Sequence, residues 1–401
     1  MRLNVTNFAQ IANVDLDFGG KGDLTILIGQ QATGKSLALQ WLKLLTDTDS
    51  IRSDWDRFGT NWKGQDARRP LDLFFGEGLA MGWRDGKSQV ALDGRVREFK
   101  RLFYRNGGRQ GPAQSAVEKT YFIPAHRALL MSDGWPRFFQ QHAPGTPYVA
   151  RSYSERLARW LGDSGASVFP VANRLQGDLR RKLDETIFHR ATLNIDKSST
   201  QSRLILSAGK SHIPYMAWTA GQREFVPLLV ALYELLPAGK VSTLDKIETV
   251  IVEEPELGLH PRGLYVMGLA ILALLQRGYR VVVSTHSPLL ADFAWAINRL
   301  RVAAQEGKAK DSTVLKAFGL GASVANKKIA EAVLDCRART FHLGYGSDGL
   351  VRSKDISMLS SISDDETESS FGGLLKHSID LAEAVSALDF DEAILTKDLQ
   401  P

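Results

Sequence analysis

Gly29-Gln30-Gln31-Ala32-Thr33-Gly34-Lys35-Ser36 decides the reading of this chain. The octapeptide fits G-x-x-x-x-G-K-[ST], and its flanks supply the context that pattern requires. Before it, Leu24-Thr25-Ile26-Leu27-Ile28 is a short apolar run of the kind a buried strand shows. After it, Leu37 to Leu45 is apolar on most faces and predicts a buried helix. Glycines let the backbone curl so that successive N–H groups converge on phosphate oxygens, and the helix start adds partial positive charge. Lys35 is then placed for the β- and γ-phosphates of ATP, and the Ser36 hydroxyl for Mg²⁺. All eight residues, Gly29, Gln30, Gln31, Ala32, Thr33, Gly34, Lys35 and Ser36, are expected to bind the nucleotide.

A phosphate loop of this type needs an acidic residue at the end of a second core strand. Thr249-Val250-Ile251-Val252-Glu253-Glu254 supplies two, after four β-prone residues. Adjacent strand side chains point to opposite faces, but the backbone bends where a strand ends, which can bring both to one site. Glu253 is expected in the Mg²⁺ shell with Ser36, and Glu254 as general base or water-positioning group.

The sequel narrows the class. Glu253-Glu254-Pro255-Glu256-Leu257-Gly258-Leu259-His260-Pro261 resembles the E-E-P-E-x-x-L-H-P segment of ABC ATPases related to OLD, RecF and the SMC proteins. Val281-Val282-Val283-Ser284-Thr285-His286-Ser287-Pro288 resembles their switch-histidine strand, which implies that His286 contacts the γ-phosphate. Lys35, Glu254 and His286 thus form the expected catalytic set. Trp218-Thr219-Ala220-Gly221-Gln222-Arg223 resembles the family's S-x-G-Q signature, with Thr219 in the serine's place and Gly221 as the closely approaching glycine. Tyr121 to Arg127 resembles an I-P-x-H-R stretch of OLD-like ATPases, which puts His126 or Arg127 at the nucleotide site.

The resemblance implies an α/β fold: an ABC-type P-loop ATPase head, a mixed sheet with flanking helices plus an antiparallel β subdomain, here with a helical insertion. It also implies a homodimer or higher oligomer in which two heads close on two ATPs, each offering Thr219 and Gly221 to its partner's γ-phosphate.

Outside the motifs, the pattern suggests four segments. Residues 1–130 read as the N-terminal part of the head, with strands over Arg2 to Phe8 and Ile11 to Phe18 and an inserted β and loop segment at 50–118. That insertion has strand-like pieces at Ser88 to Leu92 and Arg97 to Tyr104. Residues 131–202 read as a helical insertion, because Leu175, Leu179, Leu183 and Ile187 recur every four residues around Arg180, Arg181 and Lys182. Residues 203–300 form the C-terminal part of the head. It has strands over Arg203 to Ser207 and Ile213 to Met216, an apolar helix over Phe225 to Leu236 with Pro227 in its first turn, and a β-α-β unit over Thr249 to Val283. Residues 301–401 read as an extension closing the head, with an acidic serine-rich linker at 360–370 and a terminal helix over Leu374 to Leu388.

Composition excludes some classes and bounds others. The 401 residues are 44% hydrophobic and 24% charged, enough apolar material for a sizeable core. The single cysteine, Cys336, excludes an internal disulfide and a cysteine-cluster metal site. No apolar stretch reaches bilayer-spanning length, and the N-terminus lacks a signal-like apolar core, so a cytoplasmic protein with no membrane partner is expected. Net charge is +5, which permits DNA binding without arguing for it.

OLD-like proteins often carry a Toprim nuclease domain after the head. Little chain follows His286 here, and Asp364-Asp365-Glu366 lies in a serine-rich stretch with no strand before it. The expected role is therefore that of an ATP-hydrolysing sensor or scaffold controlling a separately encoded effector, a nuclease or toxin. That arrangement looks like the ATPase subunits of bacterial anti-phage defence systems. Two alternatives stand beside it. One is a RecF-like DNA-maintenance ATPase using Arg95, Arg97, Lys100, Arg101, Arg105 and Arg109 among Phe99, Phe103 and Tyr104. The other is a nucleotide-gated scaffold with little turnover.

Overall fold

The computed structural model describes residues 1–60, 68–98, 102–103, 117–139, 145–171, 174–198, 201–237, 244 and 246–386. Its strands, in chain order, begin with β1 (Arg2–Phe8), β2 (Ile11–Asp17), β3 (Leu24–Ile28), β4 (Gln89–Leu92), β5 (Arg95–Val96) and β6 (Thr120–Ile123). A short hairpin, β7 (Met131–Ser132) and β8 (Trp135–Pro136), is followed by β9 (Ser167–Phe169), β10 (Thr192–Asp196), β11 (Arg203–Ala208) and β12 (Ser211–Pro214). The last four are β13 (Thr249–Glu253), β14 (Arg280–Ser284), β15 (Ala338–Tyr345) and β16 (Val351–Asp355).

Ten of these strands make one sheet in the order β5-β4-β1-β2-β16-β15-β3-β14-β13-β6. From β15 to β6 every neighbour pair is parallel. The antiparallel wing β5-β4-β1-β2 joins through the parallel pair β2 and β16. The expected mixed sheet is therefore continuous, with the antiparallel part extending the same layer.

Both faces of the parallel strands are covered, which explains their unbroken apolar runs. Alternation sorts the side chains: Leu24, Ile26 and Ile28, with Val250, Val252, Val281 and Val283, enter one core. Leu27, Ile251, Val282 and Phe122 enter the other. The helix Lys35–Arg57 packs on the second face through Leu39, Trp41 and Leu42. The helices Ala220–Leu235, Pro261–Gln276 and Pro288–Gln305 fill the first. Among the described residues, no helix is long and apolar enough to cross a membrane.

The structure corrects several expectations. Segment 131–202 is not purely helical. Helices Tyr148–Asp163 and Gly177–Leu183 are interrupted by β9, and β10 then pairs with β11 in a separate sheet ordered β12-β11-β10-β9. Leu175 lies outside the helix with φ 59°, and Asp184–Phe188 continues as a π turn, so the four-residue recurrence runs past one regular helix. Strand β12 ends at Pro214 because a 3₁₀ turn takes Tyr215–Ala217. The helix expected from Phe225 begins at Ala220, because Thr219 and Gln222 form a reciprocal capping box. Pro227 therefore lies inside that helix, where its ring nitrogen cannot bond the Arg223 carbonyl.

The strand-like reading of 97–104 finds no strand at the positions described there, 97, 98, 102 and 103. β5 stops at Val96, the Leu102 N–H donates to the Glu98 carbonyl at 3.1 Å, and Phe103 is buried against Trp55. Phe99, Lys100, Arg101, Tyr104, Arg105 and Arg109 lie outside the described residues. The 360–370 segment is folded rather than a solvated linker: Glu366–Ser369 is helical, and Ser370 and Phe371 are buried. The terminal helix is Lys376–Ser386; positions 387 and 388 lie outside the described residues.

Candidate nucleotide site

Register aligns the carboxyl ends of the parallel strands. Leu27 pairs with Ser284, Ser284 with Glu253, and Val252 with Ile123. Whatever follows β3, β13, β14 and β6 therefore emerges along one edge, where open α/β sheets place their ligands. Gly29 to Ser36 follows β3 there. Gly34 caps the helix with φ 79°, and a side chain at that position would press on Ile11. Thr33 closes the turn on the Gln30 carbonyl at 2.8 Å. Two distant residues brace the loop: the Gln10 amide and the Tyr345 hydroxyl both donate to the Ala32 carbonyl, at 3.0 and 2.8 Å.

Lys35 is buried, and its Nζ donates to the carbonyls of Gly29 and Gln30 at 2.7 and 2.9 Å. Burial brings its ammonium down to about 8, against the attraction of Glu254, Glu256 and Glu253. Those three carboxylates thus share one field with the loop lysine.

Glu253 and Glu254 are adjacent in β13 and its exit, yet both reach this field. Glu254 adopts φ 42°, a left-handed turn that a non-glycine residue takes at a cost of about 1 kcal/mol or more. Its N–H still bonds the Ser284 carbonyl at 2.9 Å. Glu253 is 4% exposed and pushed up to about 7 by burial, despite a hydrogen bond from Ser36 and the Ala125 N–H at 3.3 Å. Its Oε1 is buried with no hydrogen-bond partner. Glu254 is half-buried, with Oε1 3.7 Å from His286 Nε2, and that imidazole chiefly holds its carboxyl below the usual range.

Of His126 and Arg127, the two alternatives read from the sequence for the nucleotide site, Arg127 is the buried one. Fully buried, it donates to the carbonyls of Pro124, Glu253, Glu254 and Glu224 at 2.8 to 3.2 Å. It is a positioning residue that pins the strand exit carrying both carboxylates. His126 is exposed, and its charge is felt by Glu254. Glu256, two residues on from Glu254 in the same acidic motif, links it to the next strand's exit. Its Oε1 accepts the Thr285 hydroxyl and the His286 N–H, which ties the acidic motif to the switch strand.

Thr219 and Gly221 occupy a different place. Thr219 caps its helix by accepting the Gln222 N–H at 3.2 Å, leaving its hydroxyl proton free to donate. Gly221 abuts the acidic motif's loop so closely that a Cβ there would lie 2.7 Å from the Gly258 carbonyl. No contact joins Thr219 or Gly221 to Lys35, Ser36 or Glu254 among the described residues.

Residues 167–292 match the family described as "AAA domain, putative AbiEii toxin, Type IV TA system". That stretch holds Thr219, Gly221, both carboxylates and His286, and its strands complete the sheet around the phosphate loop. The described fold is a mixed α/β sheet with helices on both faces, and within it residues 167–292 are similar to that family. This chain is 22% identical over 188 residues to the Old nuclease of Escherichia phage P2, covering 44% of this chain and 30% of that protein. The chain thus matches less than a third of that relative's length. Solved structures similar to this chain include an SMC head bound to the C-winged helix domain of ScpA, at 10% identity over 88% of this chain and 96% of that one, TM-score 0.40. Another is the SMC head domain from Thermotoga maritima, at 10% identity over 88% and 97%, TM-score 0.35.

Proposed function

We propose that the head binds ATP with Mg²⁺ at Gly29 to Ser36 and hydrolyses it with Glu254 and His286. The observation that carries this reading is the convergence of Lys35, Ser36, Glu253, Glu254 and His286 at one sheet edge. The donor set fits Mg²⁺: a hydroxyl and a buried carboxylate with one oxygen unpartnered are hard oxygen ligands, and Mg²⁺ commonly takes its others from water and phosphates. Ser36 and Glu253 would hold the ion, which when bound neutralises charge on the β- and γ-phosphoryl oxygens.

The chain's own groups do the rest. Loop N–H groups and Lys35 take the phosphates. Glu254, kept ionised by His286, orients the attacking water and accepts its proton. His286 faces the γ-phosphate from the end of β14. Thr219 and Gly221 sit at a helix N-terminus with a free hydroxyl proton, so they serve a second copy's ATP, and two heads complete two sites.

Within a cell, this composite site would act as a switch controlling a separately encoded effector in anti-phage defence. The Old nuclease likeness supports that reading at the level of the head alone. Steady-state ATPase assays of the wild type and Glu254→Gln test the chemistry. A loss of roughly a hundredfold or more, with ATP-dependent dimers accumulating in light scattering, is expected. Equal rates would remove Glu254 from the mechanism.

A further inference from the structure

Away from the nucleotide site, a cleft of about 350 Å³ is lined from the helix Tyr148–Asp163, β9 and the C-terminal end of the helix Ala220–Leu235. That volume suits a small molecule. Three arginines reach it: Arg156, Arg159 and Arg174. Arg156 is already held, bonded by Glu118 on one side and by Glu234 at 2.8 Å on the other, with its guanidinium 4.5 Å from the Tyr121 ring centre. Arg159 is exposed and forms no ion pair among the described residues. Arg174 lies 5.9 Å from the Trp160 ring centre and donates to the Tyr233 carbonyl at 3.3 Å, with no carboxylate partner among the described residues. Asp163 is the one lining acid besides Glu234.

We propose that this cleft binds a phosphorylated small molecule, with Arg159 and Arg174 taking the phosphoryl group. Guanidinium forks match phosphate oxygens, and among the described residues neither Arg159 nor Arg174 has a carboxylate partner. Trp160 gives the cleft a rigid wall, because its ring is stacked on the buried ring of Tyr233, 5.7 Å between centres. Placement then gives the ligand leverage. Arg156 heads a continuous ion-pair chain: Glu118 bonds both Arg156 and the buried Lys43, and Lys43 bonds Asp47 at 2.7 Å within the phosphate-loop helix. On its other side, Glu234 belongs to the helix whose N-terminus is Thr219. A phosphoryl group here competes with Glu118 and Glu234 for Arg156, and so acts on the helices that carry the phosphate loop and Thr219.

Calorimetric titration tests the site directly. Inorganic pyrophosphate and AMP are titrated separately into the full chain saturated with a non-hydrolysable ATP analogue, and into Lys35→Ala, whose phosphate loop is impaired. One further site per chain is expected in both, weakened tenfold or more in Arg159→Ala/Arg174→Ala and less in Arg159→Lys, which keeps the charge but not the fork. Tighter binding of AMP marks the ligand as a nucleotide; tighter binding of pyrophosphate marks it as a bare phosphate ester or polyphosphate, and either supports the site. No binding in both backgrounds, or equal affinity in the wild type and the double variant, overturns it. The readout needs no turnover, so it is independent of whether the head hydrolyses ATP. Coupling is read by titrating the ATP analogue with and without pyrophosphate: its affinity should shift in the wild type and not in the double variant. An unshifted affinity overturns the coupling.

Discussion

The Glu256 carboxylate holds His286 by its backbone: Oε1 accepts the His286 N–H at 2.5 Å while also taking the Thr285 hydroxyl at 2.9 Å. His286, whose imidazole lies 3.7 Å from Glu254, is therefore held through its backbone by a second carboxylate of the same acidic motif. A single carboxylate oxygen thus fixes the spacing between the acidic motif after β13 and the histidine after β14.

Replacing Glu256 should separate binding from turnover. Glu256→Ala should lower kcat roughly tenfold to a hundredfold, because small misplacements of a reacting constellation cost about that much. The dissociation constant for ATP, measured with a fluorescent analogue, should change by less than about threefold. Glu256→Gln retains an accepting oxygen and should recover most of the rate. Loss of ATP binding in step with kcat would show that Glu256 supports the fold of the site as a whole.

Glu253 yields a pH-dependent prediction. Its folded-state carboxyl sits at about 7, above the ordinary 4.5, so the folded protein keeps a proton that the unfolded chain releases. The contribution is therefore fully present below about pH 4.5 and lost as pH rises through 7. The loss is roughly 3 kcal/mol at most. Glu253→Gln removes the titration, so without Mg²⁺ its melting temperature should match wild type near pH 5 and exceed it at pH 8. A melting difference that does not vary between those pH values would show that burial of this carboxylate is not the cause. The same variant should lose most of its Mg²⁺-dependent gain in ATP affinity.

Thr219 has two jobs that substitution can divide. Thr219→Ala removes the capping acceptor and should cost about 1 kcal/mol in chemical denaturation. Thr219→Ser keeps the cap and the hydroxyl, and should keep both stability and activity. Thr219→Asp keeps a capping acceptor but brings negative charge to a position proposed to face phosphate, so it should stay near wild type in stability while losing ATP-driven dimers. Dimers of Thr219→Asp at wild-type strength would remove Thr219 from the shared site.

The phosphate loop and the parallel strands were legible because their signals are local. Leu24 to Ile28 is apolar throughout since both faces of β3 are covered, and Gly34 must carry its left-handed turn within the motif itself. The capping box at Thr219 was equally local, but the helix start was misplaced because Pro227 attracted the boundary to itself. Tertiary partners could not be read. Gln10 and Tyr345 brace Ala32 from opposite ends of the chain, and Arg127 finds four carbonyls that only the folded strand exit assembles. The 131–202 segment misled because β9 and β10 are short and pair outside the main sheet, so the helical period of the flanking residues dominated the pattern.

Asp47 and Lys43 have one more effect. The parallel sheet ends at β6, and the first residue of that strand, Thr120, is held on its outward side by both: its N–H bonds Asp47 at 3.1 Å and its carbonyl bonds Lys43 at 2.6 Å. An open edge strand is a template on which another chain can pair. Here the hydrogen-bonding groups where the edge begins are already satisfied by side chains of the phosphate-loop helix, so a stray strand finds nothing to zip onto at that end. The charged pair thus guards the protein against edge-to-edge aggregation.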